Sequence, residues 1–109
     1  MIEALFGNRV AEKCLLFIAN YGEGYINGIA KTFAISTSQV AKQLERLEAG
    51  GILVNQFKGN TKMFVFNPRL FCRKELVFLL EKTLMALPKE ETKKYYRQRK
   101  RPRRTGKEL

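Results

Sequence analysis

Between Asn27 and Leu53 the chain reads NGIAKTFAISTSQVAKQLERLEAGGIL, two helical patterns with almost nothing between them. Ile29, Ala30 and Phe33 fall at i, i+1 and i+4, which gathers three apolar groups on one helical face. Val40, Leu44 and Leu47 do the same in the second pattern. Ser36 followed three residues later by Gln39 is a capping box, so the second helix starts just after Ser36. Gly50-Gly51 stops it, because glycine accepts the left-handed backbone at a helix end. Asn27 is the expected cap of the first helix, with Gly28 at its first position. The break, roughly Ala34 to Ile35, is short enough that the pair must form a helix-turn-helix.

If Val40, Leu44 and Leu47 point inward, then Thr37, Ser38, Gln39, Lys42, Gln43 and Arg46 point outward. None is acidic, and Glu45 and Glu48 fall toward the side or rear. Hydroxyl and amide side chains bond base edges or phosphates, glutamine pairs with adenine, and lysine or arginine with guanine. The plainer alternative is a solvated amphipathic helix, whose outer face is polar for no further reason.

The next segment weighs against that alternative. Ile52 to Phe57 and Lys62 to Phe66 are β-rich runs around Lys58-Gly59-Asn60-Thr61, which predicts a β-hairpin. Its tip is basic and free of acid, and a wing over 57–63 with Lys58, Asn60 and Lys62 suits phosphate or minor-groove contact. A helix-turn-helix followed by such a hairpin resembles the winged-helix regulators of bacteria and archaea, of the ArsR and MarR type. The resemblance rests on Ile29-Ala30, Ile35-Ser36, Leu44 with Leu47, Gly51-Ile52-Leu53 and Asn67-Pro68, and spans about residues 5 to 88. It implies a mainly α fold with a small β-hairpin (α+β) and a C-terminal dimerisation helix.

Upstream, Val10, Cys14, Phe17, Ile18 and Tyr21 follow a 3–4 spacing, so Arg9 to Tyr21 is an amphipathic helix with Asn8 as its cap. Tyr25-Ile26 is expected as a very short strand pairing with the wing. Downstream, Arg69 to Leu87 is apolar around more than one helical face, and such a helix is buried in the domain or in a partner. With the N-terminal lead it is the candidate surface for a two-fold homodimer: Leu5, Phe6, Leu76, Leu79, Leu80, Leu84 and Leu87. Completing the core of one chain is the competing use of the same residues.

The 109 residues carry a net charge of +11, unevenly spread. Residues 1–88 hold eleven Lys/Arg against seven Glu, whereas 89–109 hold ten against three. This reads as a winged-helix domain over 1–88 and a disordered basic tail over 89–109. Arg97, Arg99, Lys100, Arg101, Arg103 and Arg104 are its candidate phosphate contacts, which add affinity and salt dependence but little discrimination. Tyr95 and Tyr96 are candidates to stack on unpaired bases.

No catalytic constellation is present, and the expectation is a protein that is not an enzyme and carries no cofactor. The chain has no histidine, and Cys14 and Cys72 lack metal-ligand spacing, so no metal site is expected. Metal sensing, which the ArsR resemblance raises, lacks its ligands here. No run approaches a membrane span, and the expected location is the cytoplasm, on a bacterial or archaeal nucleoid. The leading expectation is a dimeric, sequence-specific double-stranded DNA-binding transcription regulator, a repressor in the simplest case. Two alternatives stand beside it: a protein-interaction module docking a partner through the apolar C-terminal helix, and an RNA or single-strand binder led by the arginine-rich tail.

Overall fold

The computed structural model describes residues 1–96. A short α1, Glu3–Phe6, leads into α2, Arg9–Tyr21, which is the spine of the domain. Asn8 caps α2 as expected, its Oδ1 accepting from the Ala11 amide at 2.8 Å. Ala11, Cys14, Leu15 and Ile18 of α2 are fully enclosed, because helices and hairpin close over this one helix.

α3, Ile26–Phe33, and α4, Thr37–Ala49, form the helix-turn-helix, with Ala34, Ile35 and Ser36 between them. The start of α4 agrees with the capping box: Ser36 Oγ accepts from the Gln39 amide at 3.2 Å and donates to Gln39 Oε1 at 3.3 Å. The start of α3 does not agree with the sequence. Its cap is Tyr25 rather than Asn27. The reason is packing: a Cβ on Gly28 would stand 2.7 Å from the Tyr25 ring. Gly28 therefore marks the seat of a ring, not a helix boundary.

The turn depends on Ala34, whose φ of 56° is left-handed. That backbone costs an L-residue roughly 1–2 kcal/mol. It is offset by the Ala34 and Ile35 amides, which close on the carbonyls of Lys31 at 3.4 Å and Ala30 at 3.0 Å.

β1, Leu53–Lys58, and β2, Thr61–Phe66, pair antiparallel with Lys58 opposite Thr61. Gly59-Asn60 is thus a two-residue turn, and Gly59 takes φ 62° while Asn60 does not turn positive, the type II′ pattern. Leu53, Phe64 and Phe66 share the buried face. The expected strand at Tyr25-Ile26 shrinks to one bridge at Gly24, which exchanges hydrogen bonds with Phe64 at 3.0 and 2.7 Å. Asn67 closes the hairpin base: its Nδ2 donates to the Gly51 carbonyl and its own amide to that of Ile52, both at 2.9 Å.

α5, Arg73–Ala86, packs on α2 and buries Leu80, Thr83 and Leu84. Leu80 and Leu84 were expected at a dimer interface. They instead fill the core of the single chain, because α2 offers them an apolar face at once. Phe6, Leu76 and Leu87 are half-buried against the same core. Leu5 and Leu79 remain exposed, and the outer side of α5 adds Phe78 and Met85, with Phe71 just before the helix.

The chain does not become free at Lys89. α6, Lys89–Glu91, and a single π-helical turn, Thr92–Tyr96, fold back toward α2, and Tyr96 is 4% exposed. The two tyrosines have an aromatic seat, Phe33, and their carbonyls have side-chain donors, which offset the ordering cost. Arg97, Arg99, Lys100, Arg101, Arg103 and Arg104 lie outside the described residues. Among the described residues no helix is long and apolar enough to cross a membrane.

Replacing Ala34 tests the turn. Ala34→Gly, which fits the left-handed backbone freely, is expected to be neutral or to stabilise by up to about 1 kcal/mol. Ala34→Val, β-branched at positive φ, is expected to cost about 1–2 kcal/mol. Urea unfolding of the two variants checks the sign.

Candidate nucleic-acid interface

Burial of Val40, Leu44 and Leu47 leaves α4 with one solvent face. Thr37, Ser38 and Lys42 stand exposed on it, and Lys42 forms no ion pair among the described residues. Ser38 Oγ shares a hydrogen bond with Ser36 Oγ at 3.3 Å, and the other three expected base readers are engaged as well. Gln39 Oε1 accepts from Ser36 Oγ in the cap. Gln43 Oε1 accepts from Arg46 Nε at 3.0 Å. Arg46 Nη2 donates to the Phe6 carbonyl at 2.7 Å, at the C-terminal end of α1. A cation satisfies the orphan carbonyls of a helix end. Arg46 is thus turned toward the N-terminal lead, forty residues away in sequence, and its spacing on α4 gave no sign of it. Glu48, at the rear, accepts from Asn55 Nδ2 of β1 and so ties α4 to the wing.

The same lead is held a second time. Glu12 is 5% exposed, and its Oε2 accepts from the Ile2 amide at 2.7 Å. A buried carboxylate needs such donors, because an unpaired charge off water is costly.

The wing tip is less positive than its sequence. Lys58 Nζ sits 2.8 Å from Glu23 Oε1, in the loop between α2 and α3. Lys62 lies back over the Phe64 ring, 5.4 Å from its centroid. Asn60 and Thr61 are exposed. Facing them across an open groove of about 290 Å³ is the first turn of α3, at Tyr25, Ile26 and Asn27. Tyr25 gives α3 no side-chain cap, so its first amides still have hydrogen bonds to give. Asn60, Lys62 and these amides together suit an anionic group. The contribution of α3 was invisible in the sequence because the helix was expected to start two residues later.

Phe57, one step from the tip, is two-thirds exposed, on the same hairpin face as Asn55. Burial pushes the Cys14 thiol up to about 12, so it stays protonated and unreactive at neutral pH. Among the described residues no three His, Cys, Asp or Glu side chains gather as a metal site.

No family model matches the chain, and no curated protein does. Its architecture is found in the crystal structure of the YusO protein from Bacillus subtilis. The two are 18% identical with a TM-score of 0.57, over 82% of this chain and 70% of that one. At this identity the likeness is one of fold alone.

Arg46→Ala is expected to lower stability by about 1 kcal/mol, the order of an exposed hydrogen bond to a charged group. Because it frees the lead from α4, it is also expected to speed tryptic cleavage after Arg9. Lys42→Ala, without a partner to lose, is expected to leave both unchanged. Parallel urea melts and proteolysis time courses compare the two.

Proposed function

We propose that the protein is a sequence-specific double-stranded DNA-binding transcription regulator that works as a homodimer on the nucleoid. The observation that carries this reading is the first half of α4. It is an exposed, acid-free run of Thr37, Ser38 and Lys42, held by a short turn and flanked by a hairpin. An α-helix of this kind fits a B-DNA major groove, where base edges distinguish all four pairs.

In this reading Thr37, Ser38 and Lys42 meet bases or nearby phosphates. Gln39 and Gln43 reach bases by exchanging their internal hydrogen bonds for ones to DNA, while Arg46 stays with Phe6 and orients the helix. A phosphate sits between the first turn of α3 and Asn60 with Lys62. The basic residues beyond Tyr96 add phosphate contacts without reading sequence.

The dimer forms along the outer side of α5, where Phe78 and Met85 stand seven residues apart, with Phe71 seven residues before Phe78 at the foot of the helix. This spacing keeps a stripe on one side of a helix, as paired helices require. Leu79 and Leu5 join it in place of Leu80 and Leu84. A two-fold dimer then reads half-sites about one helical turn apart. Repression is the simpler direction of control, since it needs only occupancy of a promoter.

The test is selection from a pool of genomic duplex fragments with excess random competitor, using the full chain and a chain ending at Tyr96. Both are expected to enrich one two-fold-symmetric site. Lys42→Ala is expected to abolish the enrichment, and Phe78→Lys the symmetry. Enrichment that disappears with the residues after Tyr96, or a preference for RNA, would replace this reading with a general nucleic-acid anchor on an assembly domain.

The Glu23–Lys58 pair gives a second prediction. Glu23→Gln releases a wing cation, so binding to random duplex is expected to tighten. The slope of log K against log salt is expected to steepen by about 0.9, one phosphate contact. Titrations at several salt concentrations measure it.

A further inference from the structure

Tyr95 and Tyr96 are fastened more firmly than a tail needs. Asn20 Nδ2 donates to the Tyr96 carbonyl at 3.0 Å, and Tyr21 Oη donates to the Tyr95 carbonyl at 2.7 Å. Both rings lie against Phe33, with centroids 4.9 and 5.9 Å away. Lys13 Nζ covers the outer side, 4.9 Å from the Phe33 ring and 5.3 Å from that of Tyr95. Two carbonyls and two rings are thus held by α2 and by the last residue of α3.

The position of this clasp matters. Phe33 closes α3, and α4 begins four steps later at Thr37, at most about 15 Å along the chain. The residue bonded to Tyr96 is Arg97, the first of seven Lys/Arg in the final thirteen residues, against one Glu.

Resting on the DNA-binding reading, we infer that the Tyr95-Tyr96 clasp is a positioning device. It launches the basic arm from beside the helix-turn-helix, so that each arm lies on phosphates flanking its own subunit's major-groove contact. Tethered only at Pro88, Arg97 would start eight residues further along the chain from its last fixed point. Clasped at Tyr96, the eight residues from Arg97 to Arg104 reach at most about 28 Å from a fixed point. The tyrosines therefore act as anchors on protein and are not available to stack on bases.

The test maps where the arm touches DNA, using the full chain on a duplex of about 30 base pairs carrying the selected site. A cleaving iron chelate is attached at Gly106→Cys in a Cys72→Ser background, leaving Cys14 enclosed. The unaltered clasp is expected to give one tight cluster of cuts on each flank. Tyr96→Phe keeps the ring and the backbone carbonyl, and is expected to give the same cuts. Tyr96→Ala is expected to scatter them.

Because Tyr96→Ala removes a buried ring, a second variant keeps the domain intact: a flexible Gly/Ser insert of about ten residues between Tyr96 and Arg97. It is expected to scatter the cuts and weaken binding about threefold, as effective concentration falls with tether length. Unchanged cuts and affinity in the insert variant overturn the inference and leave the clasp as core packing, with DNA binding intact. A full chain that captures no duplex overturns the proposed function itself, and this inference with it.

Discussion

Burial of Val40, Leu44 and Leu47 decides what the rest of this molecule can do. A helix of thirteen residues has one orientation in which all three leave water, and that orientation fixes which side chains remain outside. At about 25 cal/mol per Å² of apolar surface, three buried aliphatic side chains contribute several kcal/mol, more than any single polar contact on the outer face. The outer face is therefore set by the core. The polar residues compete only over which neighbour each one meets. Ala34 shows how strongly the arrangement is held. Its unfavourable backbone persists because the alternative would separate α3 from α4 and uncover Phe33 and Ile29 together.

Within the fixed face, the polar groups have sorted themselves by local opportunity. A side chain with an unsatisfied carbonyl or carboxylate within reach takes it, since the net gain of an exposed hydrogen bond is about 1 kcal/mol and the geometry costs little. Arg46 finds Phe6, Gln39 finds its cap and Lys58 finds Glu23. What remains unclaimed, Thr37 and Lys42, lies in the first turns of α4, the end nearest the turn, with Ser38 held only by the Ser36 hydroxyl.

This sorting also marks what the sequence could and could not disclose. Periodicity and capping identified α2, α4 and the hairpin because those signals are local: i+3 and i+4 apolar steps, Ser36 with Gln39, and Gly59-Asn60. The start of α3 was misplaced because Gly28 was judged on helix propensity, whereas its neighbour Tyr25 needed the space. Leu80 and Leu84 were assigned to a partner because a single sequence does not show how much apolar face α2 leaves open. The Arg46–Phe6 and Lys58–Glu23 contacts join residues about forty and thirty-five apart. No short-range pattern encodes pairings of that span. The segment 89–96 was misjudged for a related reason: its composition is that of a free tail, but two adjacent tyrosines suffice to fold it where a complementary seat exists.

Charge brings these threads together. With Lys58 paired and Arg46 drawn to the Phe6 carbonyl, the described interface offers few free cations, chiefly Lys42 and Lys62. Three phosphate contacts per subunit would lose roughly 40-fold in affinity between 50 and 200 mM salt, whereas ten would lose on the order of 10⁵-fold. A domain limited to the smaller number binds weakly at low salt and loses less affinity as ionic strength rises. One that adds seven arm cations gains affinity and inherits the salt dependence. In the proposed reading the folded domain and the arm divide the work: α4 would discriminate because little of its face is generic charge, and the arm would hold because nearly all of it is. That division helps only where the arm starts close to the helix it supports, which is where Tyr95 and Tyr96 place it.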